Sequence, residues 1–289
     1  MSDQSLETLL ALQRPSGAFP STVSEGPDHI DDETCFVTAS VALCLIELTN
    51  AGSSQARVAL ARALDFVEGC EATDTPGAFG FYPADPTTPR VVGGLPADAD
   101  DTAVAWLALV TSGRRSVTEA RAAFRARIGP ASRRMISGLA PPWTRPGAVR
   151  TWLVEVGSHN PIDLAVNANV AALAVRIGET GHLAFAGACD SLLAGARGGY
   201  DPTVFGRRLA PFYASVCELH LAIARAFAFG ATVLAPCLGW LAGAYQGLDP
   251  LRDDKPLYCN DHGSPVWTAP ALQRARKLTA PRSAPRSLV

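Results

Sequence analysis

Aromatic residues are scarce, at 7% of the 289 residues, and charged ones make up only 18%. A net charge of -2 leaves no surplus of lysine and arginine, which excludes a field able to gather nucleic acid or an anionic membrane surface. No two of the seven cysteines form a Cys-x-x-Cys pair, and their number is odd. That argues against a disulfide frame and for a reducing, cytoplasmic setting. The start, Met1-Ser2-Asp3-Gln4, has no basic stretch leading into an apolar core, so no signal peptide is expected. The longest apolar run, Ala222 to Ala242, is interrupted by Arg225, two glycines and Pro236, so no transmembrane segment is expected. Strand-like alternation is almost missing too.

What is there is helical periodicity, rich in alanine and leucine. The spacing predicts helices at Leu6–Gln13, Cys35–Thr49, Ser54–Cys70, Asp101–Thr111, Val117–Arg127, Ala131–Ser137, Ile162–Ile177, His182–Ala194, Leu209–Ala228, Ala231–Tyr245 and Pro265–Lys277. Polar loops repeatedly end in an acidic or capping group before an apolar helix. Asp31-Asp32-Glu33-Thr34, Asp98-Ala99-Asp100-Asp101-Thr102, Asn160-Pro161-Ile162-Asp163, Asp201-Pro202-Thr203 and His262-Gly263-Ser264 all fit. Helices apolar nearly all round alternate with more polar ones, as inner and outer layers do. The expectation is an all-α, single-domain (α/α)6 toroid over residues 1–280, followed by a disordered basic tail at 281–289. Its inner helices would open their N-termini at one rim.

The sharpest motif is Asp98-Ala99-Asp100-Asp101-Thr102-Ala103. Helix capping uses one or two carboxylates and needs no third. Three close carboxyl groups in an apolar setting cannot all ionise, so a shared proton is the other reading. The segment resembles the Asp-x-Asp-Asp-Thr-Ala motif of class II terpene cyclases, including squalene–hopene cyclases. Gln13-Arg14-Pro15-Ser16-Gly17-Ala18-Phe19 and Gly77-Ala78-Phe79-Gly80-Phe81 are similar to that family's Gln-x-x-x-Gly-x-Trp repeats, with Phe in place of Trp. The stretch from Asp163 to Asn169 is similar to segments in bacterial proteins with prenyltransferase and squalene-oxidase-type repeats.

The resemblance implies Asp100 as the acid that protonates an alkene or epoxide of a linear isoprenoid, with Asp98 and Asp101 supporting it. The proton step needs no cofactor, and Mg2+ enters only with a diphosphate-bearing substrate. Family members pair this domain with a second helical one, so a partner domain or a homodimer could close the site. No Asp-rich metal motif of the ionising cyclases is present.

A carbocation cascade needs aromatic faces in a dry cavity. Candidate rings are Trp106, Phe79, Phe81, Tyr82, Trp143, Trp152, Phe205, Phe212, Tyr213, Tyr258 and Trp267, each with core packing as its alternative. His159, Asn167 and Asn169 are candidates for the terminating base or a water-positioning group. Residues two apart on a helix diverge by about 200°, so at most one of the two asparagines faces a cavity. Arg145, Arg150, Arg207, Arg208 and Lys255 are candidates for a diphosphate. Two other readings stay open. One is a toroid that binds a lipid or protein without catalysis. The other is a zinc-dependent transferase of the protein-prenyltransferase kind using Cys259, Asp261 and His262, ligand types crowded into four residues.

Overall fold

The computed structural model describes residues 3–25, 28–85, 91–154, 160–242, 251–260 and 262–280. The chain builds a helical double ring. Five outer–inner helix pairs are seen among the described residues, against the six expected. Each inner helix packs on an outer one: α2 (Cys35–Asn50) on α3 (Ser54–Gly69), α4 (Ala99–Thr111) on α5 (Val117–Ala123), α7 (Leu164–Ile177) on α8 (Leu183–Arg197), α10 (Val216–Ala228) on α11 (Ala235–Ala242), and α12 (Pro270–Thr279) on α1 (Asp3–Leu10). A π turn at Phe124–Ile128 carries α5 into the short α6 (Gly129–Ala131), and α9 (Pro202–Leu209) precedes α10.

Inner helices pack in the order α12, α2, α4, α7, α10. The ring closes where Arg276 of α12 grips Glu218 of α10 through both guanidinium NH2 nitrogens, at 2.9 and 2.8 Å. Composition explains the layering. Every residue from Ala103 to Val110 of α4, and from Leu164 to Ala174 of α7, is buried, as a helix inside a double layer requires. In α3 only one face is buried, at Ala56, Ala59, Leu60, Ala63, Leu64, Phe66 and Val67.

Side-chain caps set the starts. Asp98, Asp163 and Ser215 accept backbone N–H bonds at the mouths of α4, α7 and α10. All three starts therefore sit at one rim, as the loop pattern anticipated.

The departures from periodicity are local. The expected helix from Leu209 breaks at Ala210–Ser215, where Pro211 has no N–H to continue it. The stretch Ala131–Ser137 is helical only to Ala131. Helix α11 follows a 3-10 turn at Thr232–Leu234.

A small antiparallel sheet was not anticipated. Its order is β2 (Asp28–Asp32), β1 (Ser21–Glu25), β4 (Val266–Thr268), β3 (Pro256–Cys259). The expected helix at Pro265 is β4, and α12 starts only at Pro270. The register pairs Val23 with Trp267, and Trp267 with Tyr258. Two aromatic side chains are thereby brought to the same rim as the acid motif. The tail 281–289 lies outside the described residues.

Candidate functional site

Asp98 is the N-cap of α4. Its Oδ1 accepts the N–H groups of Asp100 and Asp101, each at 2.8 Å. One carboxylate thus caps the helix, and two remain that capping does not use.

Asp101 is 3% exposed and lies beside Asp98, which is 6% exposed. The two carboxyl groups are within hydrogen-bond reach, and Asp101 also reaches the Cys35 thiol. Oδ1 of Asp101 accepts no hydrogen bond. Burial lifts Asp98 to about 7, with repulsion from Asp100 adding to it. Burial lifts Asp101 well above the carboxylate range, with repulsion from Asp98 next. Both carboxyl groups are pushed toward the neutral form, and two so close titrate as a unit.

Asp100 faces the middle of the ring and is half-buried. Its Oδ1 accepts from Asn169 Nδ2 at 2.7 Å, and its Oδ2 accepts from the Tyr213 hydroxyl. Asn169 Oδ1 in turn accepts from Arg225 at 3.0 Å. Burial raises the Asp100 pKa, while the bonds from Tyr213 and Asn169 and the charge of Arg225 pull it back. Burial keeps the acid form in play. The donors stabilise the anion left when the proton departs. That is the arrangement that favours proton delivery, because charge develops where donors already stand.

Asp163, fully buried, caps α7 and holds the backbone N–H of Phe212 at 3.1 Å. This bond aims the Phe212–Tyr213 segment at Asp100. Burial and the nearby Asp100 charge raise Asp163 to about 7.

The three carboxyl groups open onto a cavity of about 180 Å3. Its rings are Phe36, Phe81, Trp152, Phe212, Tyr213, Tyr258 and Trp267. Tyr258 stacks on Trp267 at 5.1 Å, and Phe81 meets both edge-on at 5.3 and 5.9 Å. Polar groups behind the wall fix these rings. Asp32, fully buried, accepts from Trp267 Nε1 at 2.8 Å and from the Tyr82 hydroxyl at 3.0 Å. The Tyr258 hydroxyl lies 3.0 Å from Ser21 Oγ and 3.1 Å from Thr34 Oγ1.

Several expected residues stand elsewhere. Trp106 is buried against the Gly77 loop, with its Nε1 bonded to Gly77 O at 2.9 Å and its ring edge-on to Phe79. Six residues past Asp100 the helix has turned it away. Tyr82 packs behind Phe81 rather than into the cavity. Trp143 and Phe205 form a separate cluster around Tyr200. Asn167 pins the backbone of Val149, accepting its N–H and donating to its carbonyl, each at 2.9 Å. None of the five basic candidates lines the cavity. Arg145 folds back on the carbonyls of Pro142 and Thr144, Arg207 reaches His262 O, and Arg208 lies over Phe205. Lys255 lies in the turn before β3, and Arg150 in the loop before α7. His159 and Asp261 fall outside the described residues.

The sequence reading missed Phe36, Asp163 and Arg225. Asp163 carried a capping signal only, and Arg225 read as an interruption of an apolar run. No sequence pattern marked Phe36.

No family model matches the chain, and no curated protein sequence matches it. Among solved structures, a protein from Actinoplanes is 19% identical at a TM-score of 0.44, with 94% of each chain covered. The type II terpene cyclase MstE from Scytonema is 15% identical at 0.41, covering 94% of this chain and 93% of its own. The ent-copalyl diphosphate synthase from Streptomyces platensis is 17% identical at 0.37, covering 84% of this chain and 49% of its own. At these scores the likeness says nothing about chemistry.

Proposed function

We propose that the protein is a protonation-initiated terpene cyclase acting on a linear isoprenoid, with Asp100 as the general acid. The observation that supports this is a half-buried aspartate, backed by the buried Asp98–Asp101 pair, facing a cavity walled by aromatic rings. In the proposed step the Asp100 O–H bond breaks and a C–H bond forms at the CH carbon of the terminal (CH3)2C=CH– double bond, leaving the positive charge on the dimethyl carbon. The new carbocation is then attacked by an internal double bond. Loss of a proton, or capture of water, ends the cascade. Each ring face offers a passing cation about 0.5–2 kcal/mol. Tyr213 and Asn169 hold the Asp100 carboxylate in the transition state.

The cavity is smaller than the roughly 300–1,000 Å3 of common ligand sites. Short isoprenoids are therefore the first substrates to assay. The proton step draws on no cofactor, and Mg2+ would matter only for a diphosphate-bearing substrate.

The test is turnover of a panel of linear isoprenoids, as alcohols, terminal epoxides and diphosphates. Wild type should cyclise at least one, and Asp100→Asn should lose about 10²- to 10⁴-fold in rate. A panel on which both proteins are equally inert would favour a toroid that binds a lipid without changing it.

A further inference from the structure

The opposite end of the ring holds a second cavity of about 340 Å3, within the roughly 300–1,000 Å3 of small-molecule sites. It lies among the C-terminal halves of α2 and α10, the end of α4, and α12. Leu43, Ile46, Leu221 and Leu272 make it apolar on most sides.

One polar group in it lacks a hydrogen-bond partner, and one cation in it has no carboxylate bonded to it. Ser40 is 2% exposed, and its hydroxyl has no hydrogen-bond partner. Arg225 makes one hydrogen bond among the described residues, the one to Asn169. Arg276, which shares the cavity, is by contrast fully engaged by Glu218. A half-buried guanidinium without a carboxylate is costly. Asp100, reached through Asn169, is the carboxylate that acts on it, while the Glu47 carboxyl, pushed toward its neutral form by burial, also lines the cavity. When Asp100 takes up a proton, that counter-charge is gone.

We propose that this cavity binds an amphiphile with an apolar body and one carboxylate or phosphate head, the head seated on Arg225 and Ser40. Binding is coupled to Asp100. The charged and titratable groups facing Asp100 are Asp98 and Asp101 from α4, Asp163 from α7, Tyr213 ahead of α10, and Arg225. An anion on Arg225 offsets the one cationic influence in that set. Asp100 then keeps its proton to higher pH, and by reciprocity the ligand binds more tightly when Asp100 is protonated.

Isothermal titration with octanoate, octyl phosphate, 1-octanol and inorganic phosphate tests the site. Both amphiphilic anions should bind one per chain, with 1-octanol and inorganic phosphate each about tenfold or more weaker. Arg225→Gln should bring octanoate down to the 1-octanol level. Ala224→Trp, which fills the cavity from a partly exposed position, should abolish binding. Leu272→Trp serves if that variant does not give a cooperative melt. Equal binding of octanoate and 1-octanol, octanoate binding undiminished in the filled variant, or no binding at all would overturn the proposal. The coupling is read from carbon-13 aspartate spectra, where octanoate should move the Asp100 midpoint upward. An unmoved midpoint would refute it. Both readouts are independent of turnover, so they fail or stand apart from the cyclase reading.

Discussion

Asp100 and Arg225 are joined through a single amide, that of Asn169. Its nitrogen donates to the Asp100 carboxylate at 2.7 Å, and its oxygen accepts from the Arg225 guanidinium at 3.0 Å. The donor and acceptor roles of its partners fix which way the amide points. Nδ2 must face the acid, because a guanidinium has no acceptor to offer it. A cation on one side of the ring is thereby coupled to the acid in its middle.

Replacing Asn169 with Ala removes a donor that stabilises the carboxylate form. Turnover should fall about tenfold to a hundredfold, with KM little changed. The basic limb of the pH–rate profile should move up, since a contact that lowers the Asp100 pKa is lost. A fall in rate with an unmoved limb would reduce Asn169 to a structural role.

Tyr213→Phe keeps the ring in the cavity wall and deletes only the hydroxyl on Asp100 Oδ2. The same upward move of the basic limb is expected, with a rate loss of similar size. Product identity should stay the same, because the wall keeps its shape. Kinetics and product analysis by mass spectrometry check both.

Asp98 is raised to about 7, above the roughly 3.9 of an unfolded aspartate. The folded state therefore binds the extra proton between those values. The stability it contributes is complete below the unfolded pKa and is lost as pH rises through 7. Urea midpoints should fall between pH 5 and pH 8. Asp98→Asn keeps an oxygen for the cap and should flatten that slope. Asp163 has the same sign and value, so the slope should shrink and not vanish.

Trp267→Phe removes the 2.8 Å bond to Asp32 and leaves that fully buried carboxyl group with Tyr82 as its remaining side-chain donor among the described residues. A loss of about 1–3 kcal/mol in unfolding free energy is expected. The smaller ring left against Tyr258 should also lower turnover. A variant as stable as wild type would contradict the role given to Asp32.

The rim and the acid motif were legible in the sequence because both are local. Asp98 caps the helix it precedes, and the inner helices announce themselves by being apolar all round. The wall was legible only in part. Tyr258 and Trp267 could be named as rings near loops, but not as neighbours. Their pairing depends on β3 and β4, strands of four and three residues too short to show alternation. Trp106 and Trp143 misled because a ring beside a motif in sequence can face either layer. Arg225 is 125 residues beyond Asp100, and only the ring closure brings them to a shared amide.

The most direct measurement is cyclisation in deuterated water. With an alkene substrate, if Asp100 supplies the first proton, the product from wild type should carry one deuterium on the carbon that was the CH of the terminal double bond. An epoxide would take the deuteron on oxygen, where it exchanges away. Asp100→Asn, confirmed as folded by its melt, should give no labelled product. Labelled product from Asp100→Asn at the wild-type rate would contradict the assignment.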